Sequence, residues 1–322
     1  MGKALVLSAL AAVLMTSAAH STDVRTRQVS FESDGETLVG TLYVPAEASA
    51  SAKLPGILVT GSWTSVKEQM PGLYAREMAE RGFAALAFDF RGWGESEGDV
   101  RFKEDPAAKT ADIMAAAEYM TTLPEIDSER IGGLGICASA GYMADAAASH
   151  ATLKSVSLVA PWLHNAEIVE QVYGGADGVA NLIETSREAE AAEANGDAQI
   201  IVAASTTDET SLMYQVPYYT ETDRGLIPQY DNKFNLASWE PWLTYDSVVI
   251  GGHLRKPTLV VHSEAAAVPQ GAHAFLELLG SAASELWLDN VSQFDFYDQP
   301  DPVKRAADAA ADHFGRTLNP GG

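Results

Sequence analysis

The residue with the clearest chemical signal is Cys137, in Arg130-Ile131-Gly132-Gly133-Leu134-Gly135-Ile136-Cys137-Ala138-Ser139-Ala140-Gly141. A strand-like run passes there directly into a small-residue helical stretch. So tight a strand-to-helix turn forces the residue at its tip into a strained backbone conformation and requires small residues two before and two after it. Gly135 and Ser139 meet that requirement. The free N–H groups and positive dipole end of the following helix are expected to lower the thiol pKa from its ordinary ~8.5. Ser139 is the competing nucleophile, but it sits two residues too far into the helix. Cys137 is the only cysteine, so no intrachain disulfide and no cysteine-based metal site can form. The bland alternative for a lone cysteine is a small buried hydrophobe, an idle thiol in a packed elbow.

The surrounding elements read as an α/β domain. Arg25–Ser33 and Thr37–Val44 alternate around Asp34-Gly35 and predict a β-hairpin. Leu54–Thr60 and Phe83–Phe90 are short apolar runs of the kind buried on both sheet faces. Helical segments are expected over Lys67–Arg81, Pro106–Thr122 and Ala138–Ser149, with strands at Arg130–Ile136 and Val156–Ala160. Strands alternating with helices predict βαβ units and a mostly parallel sheet, here eight-stranded with helices on both faces. The rhythm breaks over residues 161–255, polar, helix-leaning and rich in aromatics, which reads as a helical lid inserted between two strands. It resumes with a strand at Pro257–His262, a helix at Gln270–Leu279, a strand at Glu285–Leu288 and a helix over Pro302–Thr317. The expected organisation is therefore one domain over 23–322, the inserted lid being part of it.

Residues 1–22 stand apart. A lysine, an apolar run from Ala4 to Leu14 and the small residues Ser17-Ala18-Ala19 form a signal-peptide pattern, which predicts a secreted or periplasmic protein. Translation starting at Met15 would instead give a cytoplasmic one. With 47% hydrophobic and 20% charged residues, the 322-residue chain has the composition of a folded globular protein. Its formal net charge of -23 argues against nucleic acid and anionic membrane surfaces as partners. A small-molecule substrate is the expected partner, and the sequence leaves the oligomeric state open.

The elbow around Cys137 resembles that of the α/β-hydrolase superfamily, and within it the dienelactone-hydrolase-like group, where cysteine often replaces serine. Three further motifs carry the resemblance: Val66-Lys67-Glu68-Gln69 with Gly72-Leu73-Tyr74-Ala75; Phe88-Asp89-Phe90-Arg91-Gly92-Trp93-Gly94-Glu95-Ser96-Glu97-Gly98; and Arg101 with Glu104-Asp105-Pro106. For Lys67 and Glu68 a structural ion pair is the expected role. The resemblance implies an oxyanion hole made by the backbone N–H of Ala138 and by Ser62 or Trp63 in the turn after Leu54–Thr60. It also implies an acid after the Pro257–His262 strand and a histidine after the Glu285–Leu288 strand. The sequence departs from both. Ala265 or Ala266 stands where the aspartate is expected, with Glu264 the nearest carboxylate, and Gln293 stands where the histidine is expected. Glutamine holds hydrogen bonds but shuttles no proton near neutral pH, and general base catalysis is worth about 10²–10⁴-fold.

Among the other histidines, His164 follows Val156–Ala160 at the sheet edge where ligand groups gather, and His262 ends the next strand. A Cys137–His164 pair oriented by Glu264 is therefore expected, against the alternative of packing histidines. Trp162, Tyr219 and Trp239 are expected to wall a hydrophobic substrate pocket. The reading that follows is a cysteine-dependent hydrolase or acyl transferase for a small ester, lactone or thioester, with a degenerate triad and no cofactor or metal. A non-hydrolytic lyase, isomerase or cyclase on the same fold, and a ligand-binding pseudoenzyme, are the alternatives.

Overall fold

The computed structural model describes residues 23–48 and 53–319, so the expected leader lies outside the described residues. Eight strands form one sheet: β1 (Val24–Ser33), β2 (Glu36–Pro45), β3 (Leu54–Thr60), β4 (Ala84–Phe88), β5 (Ile126–Ile136), β6 (Leu153–Val159), β7 (Thr258–His262) and β8 (Ala283–Trp287). Their order is β1-β2-β4-β3-β5-β6-β7-β8. Only β2 pairs antiparallel with its neighbours; the rest of the sheet is parallel. The hairpin turns at Asp34 and Gly35, both at positive φ (50° and 89°), the geometry of a tight two-residue turn whose twist matches the strands. The central strands β3 and β4 are buried almost throughout, which is why they read as continuous apolar runs.

Helices α1 (Met70–Glu80) and α10 (Pro300–Thr317) cover one face of the sheet. Helices α2 (Pro106–Thr121) and α3 (Ala138–Ser149) cover the other. Asp105 caps α2 by accepting from the N–H groups of Ala107 and Ala108, and Pro106 fills its first position. The expected start of α1 at Lys67 is corrected: the helix begins at Met70, because Lys67 is a buried anchor rather than a helical residue. Its ammonium binds Asp89 at 2.8 Å, Glu68 at 2.7 Å and Glu95 at 2.6 Å. This network ties the turn after β3 to the turn after β4.

Between β6 and β7 run α4 (Ala166–Val172), α5 (Gly175–Glu193), α6 (Pro217–Thr220) and α7 (Trp239–Leu243). Two small strand pairs, Lys233–Asn235 with Ile200–Val202 and Ala204–Ser205 with Met213–Tyr214, interrupt the helices. They are too short to leave a period in the sequence. The segment is fastened to the rest of the protein over its stretch 224–238. Gln69 donates to Gly225 O (2.7 Å), the Glu104 N–H to Ser238 Oγ (2.9 Å), and Arg224 makes a two-pronged pair with Asp298 (2.6 Å for each contact). Within the segment, the His164 N–H donates to Ser247 Oγ at 2.8 Å and joins its start to its end. After β7 come α8 (Pro269–Leu279) and, beyond β8, the single turn α9 (Asp295–Asp298). Among the described residues no helix is long and apolar enough to cross a membrane.

Candidate active site

Cys137 lies at the tip between β5 and α3 with φ 58° and ψ -122°, a region that costs a non-glycine residue about 1–3 kcal/mol. The surroundings hold it there. Its N–H donates to Val159 O (3.1 Å), and its carbonyl accepts from the Trp162 N–H (3.0 Å). A Cβ on Gly135 would stand 2.8 Å from both Ala140 Cα and Ser139 O, so only glycine lets β5 pass that close to α3. Ser139 is bound back into the elbow: its hydroxyl donates to Ile136 O (3.1 Å) and accepts from the Ile136 N–H (3.3 Å). It is a structural serine, buried beneath the turn.

Three groups close to the sulfur favour the thiolate: the Tyr297 hydroxyl, the Ala138 N–H and the Gln293 amide. Burial outweighs them and pushes the thiol pKa up to about 11. The expectation of a lowered pKa is thereby overturned. The nearby Tyr297, Ala138 and Gln293 groups favour the thiolate, but the desolvation cost of burial exceeds them.

Gln293 is a fixed donor and acceptor. Its Nε2 donates to Ala160 O (2.9 Å) and to the Tyr297 hydroxyl oxygen (3.1 Å), while its Oε1 accepts from the Ala267 N–H (3.1 Å). With its oxygen receiving that bond, Tyr297 has its own proton left to aim at Sγ. Tyr297 is a residue that sequence reasoning missed. The signal was the spacing in Gln293-Phe294-Asp295-Phe296-Tyr297, one helical turn, which puts both side chains on one face.

Two expected partners are elsewhere. The His164 ring is spent on the inserted segment: Nδ1 accepts from the Trp162 indole N–H (3.0 Å) and Nε2 lies 3.1 Å from Trp242 O. Burial lowers its pKa to about 4, so it stays neutral, and it makes no hydrogen bond to Cys137. Glu264 is exposed and pairs with His273 at 2.8 Å, whose ring stacks on Trp287. It therefore orients neither His164 nor Gln293. The loop residue that touches Gln293 is Ala267, through its backbone, rather than Ala265 or Ala266. His262 is fully buried, and neither ring nitrogen has a hydrogen-bond partner among the described residues.

On the oxyanion side, the turn after β3 carries Ser62 and Trp63, whose N–H groups take no acceptor among the described residues. Thr64 follows at φ 59°. Its N–H donates to Glu104 (3.3 Å), a fully buried carboxylate that also binds Lys109 Nζ (2.8 Å) and accepts from the Tyr142 hydroxyl (2.9 Å). The Ser62 hydroxyl lies 2.5 Å from that of Tyr219.

These groups open into a cavity of about 720 Å³. Cys137, Gln293, Trp63, Trp162, Tyr219 and Trp239 all line it, and Tyr297 and Phe294 complete the wall beside the sulfur. Among the described residues, no group of three or more His, Cys, Asp or Glu side chains is placed to hold a metal ion.

A family described as X-Pro dipeptidyl-peptidase (S15 family) matches residues 34–290. An uncharacterized Pseudomonas aeruginosa protein, PA2218, is 30% identical over 308 residues, covering 88% of this chain and 79% of the relative. Its crystal structure superposes with a TM-score of 0.78 at 26% identity over 96% of this chain and all of that one. A shorter match, 30% over 128 residues, covers 40% of this chain and 39% of the thiohydrolase aneE of Aspergillus aculeatus. A dienelactone hydrolase-like phosphotriesterase from metagenomic libraries shares the fold (TM-score 0.54, 15% identity, 91% of this chain and 98% of that one). The architecture is the α/β-hydrolase fold.

Proposed function

The chain belongs to the X-Pro dipeptidyl-peptidase (S15) family, and on that premise we propose that it performs acyl transfer through Cys137, taking the acyl group from a small ester, lactone or thioester. The observation that carries this reading is the strained elbow, which holds the sulfur at the wall of an apolar cavity beside the Ala138 N–H. In the reaction Sγ bonds to the carbonyl carbon, and the oxygen takes up the π electrons. The N–H groups of Ala138 and of the Ser62–Trp63 turn receive the developing charge. Collapse breaks the bond to the leaving group, which departs as its anion and then takes up, through solvent, the proton released from the thiol. A sulfur leaving group suits this site best, since a thiolate departs without prior protonation; the name of the thiohydrolase relative supports the same choice.

The family's description names peptides, but this reading stops short of them. Expelling an amine requires a proton donor, the role of an imidazole in triad enzymes, and Gln293 has no proton to give. The same lack slows hydrolysis of the acyl-cysteine, so the acyl group persists on Cys137 until a stronger nucleophile than water removes it.

Intact-mass spectrometry after mixing with thiophenyl and p-nitrophenyl esters tests the proposal. The expected result is a single acyl adduct that is absent in Cys137→Ala. A parent protein that neither acylates nor turns over any ester or thioester would overturn it. A second reading rests on the raised thiol pKa: a neutral ligand held in the cavity without covalent chemistry, seen as binding with no adduct.

A further inference from the structure

Cys137 borders two adjoining spaces of very different size, which also share Trp63 and Trp162. On one side is the cavity of about 720 Å³, which includes Gln293, Phe294 and Tyr297. On the other is a niche of about 20 Å³ enclosed by Trp63, Cys137, Ala138, Trp162 and Trp242. The niche is apolar and walled by three indole rings. Two of its three indole N–H groups are committed, Trp162 to His164 (3.0 Å) and Trp242 to the Tyr173 hydroxyl (2.8 Å). Trp63 and Trp242 pack with ring centroids 5.0 Å apart. A space of that size holds about one water-sized or methyl-sized group.

The elbow geometry assigns the two sides. In a triad enzyme the leaving group departs toward the general acid. Gln293 occupies that place, so the leaving group belongs in the large cavity. The acyl substituent then points the other way, past the Ala138 N–H into the niche. None of the residues lining the large cavity carries a formal charge at neutral pH. Two of them, Val172 and Tyr214, are exposed large hydrophobics, which locates the mouth and makes it apolar.

We propose that the substrate is an acetyl ester or thioester of a large, uncharged, apolar alcohol or thiol. The inference rests on acyl transfer through Cys137. Long-chain acyl donors are excluded by the niche, and anionic leaving groups by the uncharged cavity in a chain of net charge -23.

The experiment measures the rate of Cys137 acylation by intact mass with p-nitrophenyl acetate, butyrate and hexanoate, and with 2-naphthyl acetate against its sulfonated analogue. Acetate is expected to react roughly tenfold or more faster than hexanoate, the size of a typical overpacking cost. Naphthyl acetate should outrun the sulfonate. Trp242→Phe and Trp242→Ala widen the niche and should move the optimum to butyrate or hexanoate. A parent that prefers hexanoate overturns this assignment while leaving acyl transfer standing. An acetate preference that survives in both folded Trp242 variants also overturns the niche as its cause. If a variant does not fold, the parent series decides. No acylation by any member of the panel overturns the acyl-transfer reading, and the inference with it.

Discussion

Replacing Tyr297 with phenylalanine removes one hydroxyl from a fully buried site and leaves the ring packing intact. That hydroxyl accepts from Gln293 Nε2 (3.1 Å) and favours the thiolate form of Cys137. A hydrogen bond to a charged group is worth about 1.5–3 kcal/mol, so its loss should raise the thiol pKa by roughly one to two. In the parent protein burial pushes the thiol pKa up to about 11, which at pH 8 corresponds to about one thiol in a thousand ionised. Alkylation by iodoacetamide proceeds through that fraction. The rate at pH 8, followed by intact mass, is therefore expected to fall about 10- to 100-fold in Tyr297→Phe. The Gln293 N–H released by the substitution can turn toward sulfur, which favours the lower end of that range. Normalising to the alkylation rate in denaturant removes differences in reagent. If Tyr297→Phe alkylates within a factor of two of the parent across pH 7–10, the hydroxyl does not act on the sulfur and the reasoning fails. A parent thiol titrating near 7 would refute the dominance of burial.

Gln293→His should place an imidazole beside Cys137 and the Ala160 carbonyl; deacylation is expected to accelerate about 10²–10⁴-fold, seen as steady turnover where the parent gives a stoichiometric burst. Glu104→Gln removes one charge of a buried pair with Lys109 and should cost about 3–5 kcal/mol in urea unfolding; a variant as stable as the parent would show that the pair does not anchor the Thr64 turn. His164 and His262 are each held neutral by burial, with pKa values lowered to about 4. The unfolded chain therefore binds protons first, and stability present above about pH 6.5 is lost as pH falls toward 4. The expected cost by pH 5 is about 2 kcal/mol for each histidine, to be read from urea midpoints at pH 7 and 5.

The parts of this protein legible in the sequence are those fixed by local sterics. The hairpin at Asp34-Gly35, the twice-buried strands β3 and β4, and the elbow with its obligatory Gly135 each follow from a short run of residues. What escaped reading depends on partners far along the chain. His164 lies at the sheet edge where strand logic puts it, but its ring is held by Trp242, 78 residues away. Glu264 is the nearest carboxylate in sequence to the expected acid, yet its loop turns it outward to His273. The thiol pKa was misjudged because the helix end is visible in sequence while the depth of burial is not. Tyr297 lay one helical turn beyond Gln293 and passed unnoticed because tyrosine was not the residue type expected there.

The fastening of the segment between β6 and β7 has a consequence for traffic in and out of the cavity. Ties through Gln69, Glu104 and Asp298 hold its stretch 224–238, so that stretch cannot swing away as a flap without breaking several at once. Exchange must instead pass through the mouth by rotation of side chains such as Val172 and Tyr214, on the fast timescale of surface rotamers. Entry then acts as a filter of polarity: charged molecules meet a mouth of Val172 and Tyr214 side chains with no countercharge, before the chemistry at sulfur has any say in what reacts.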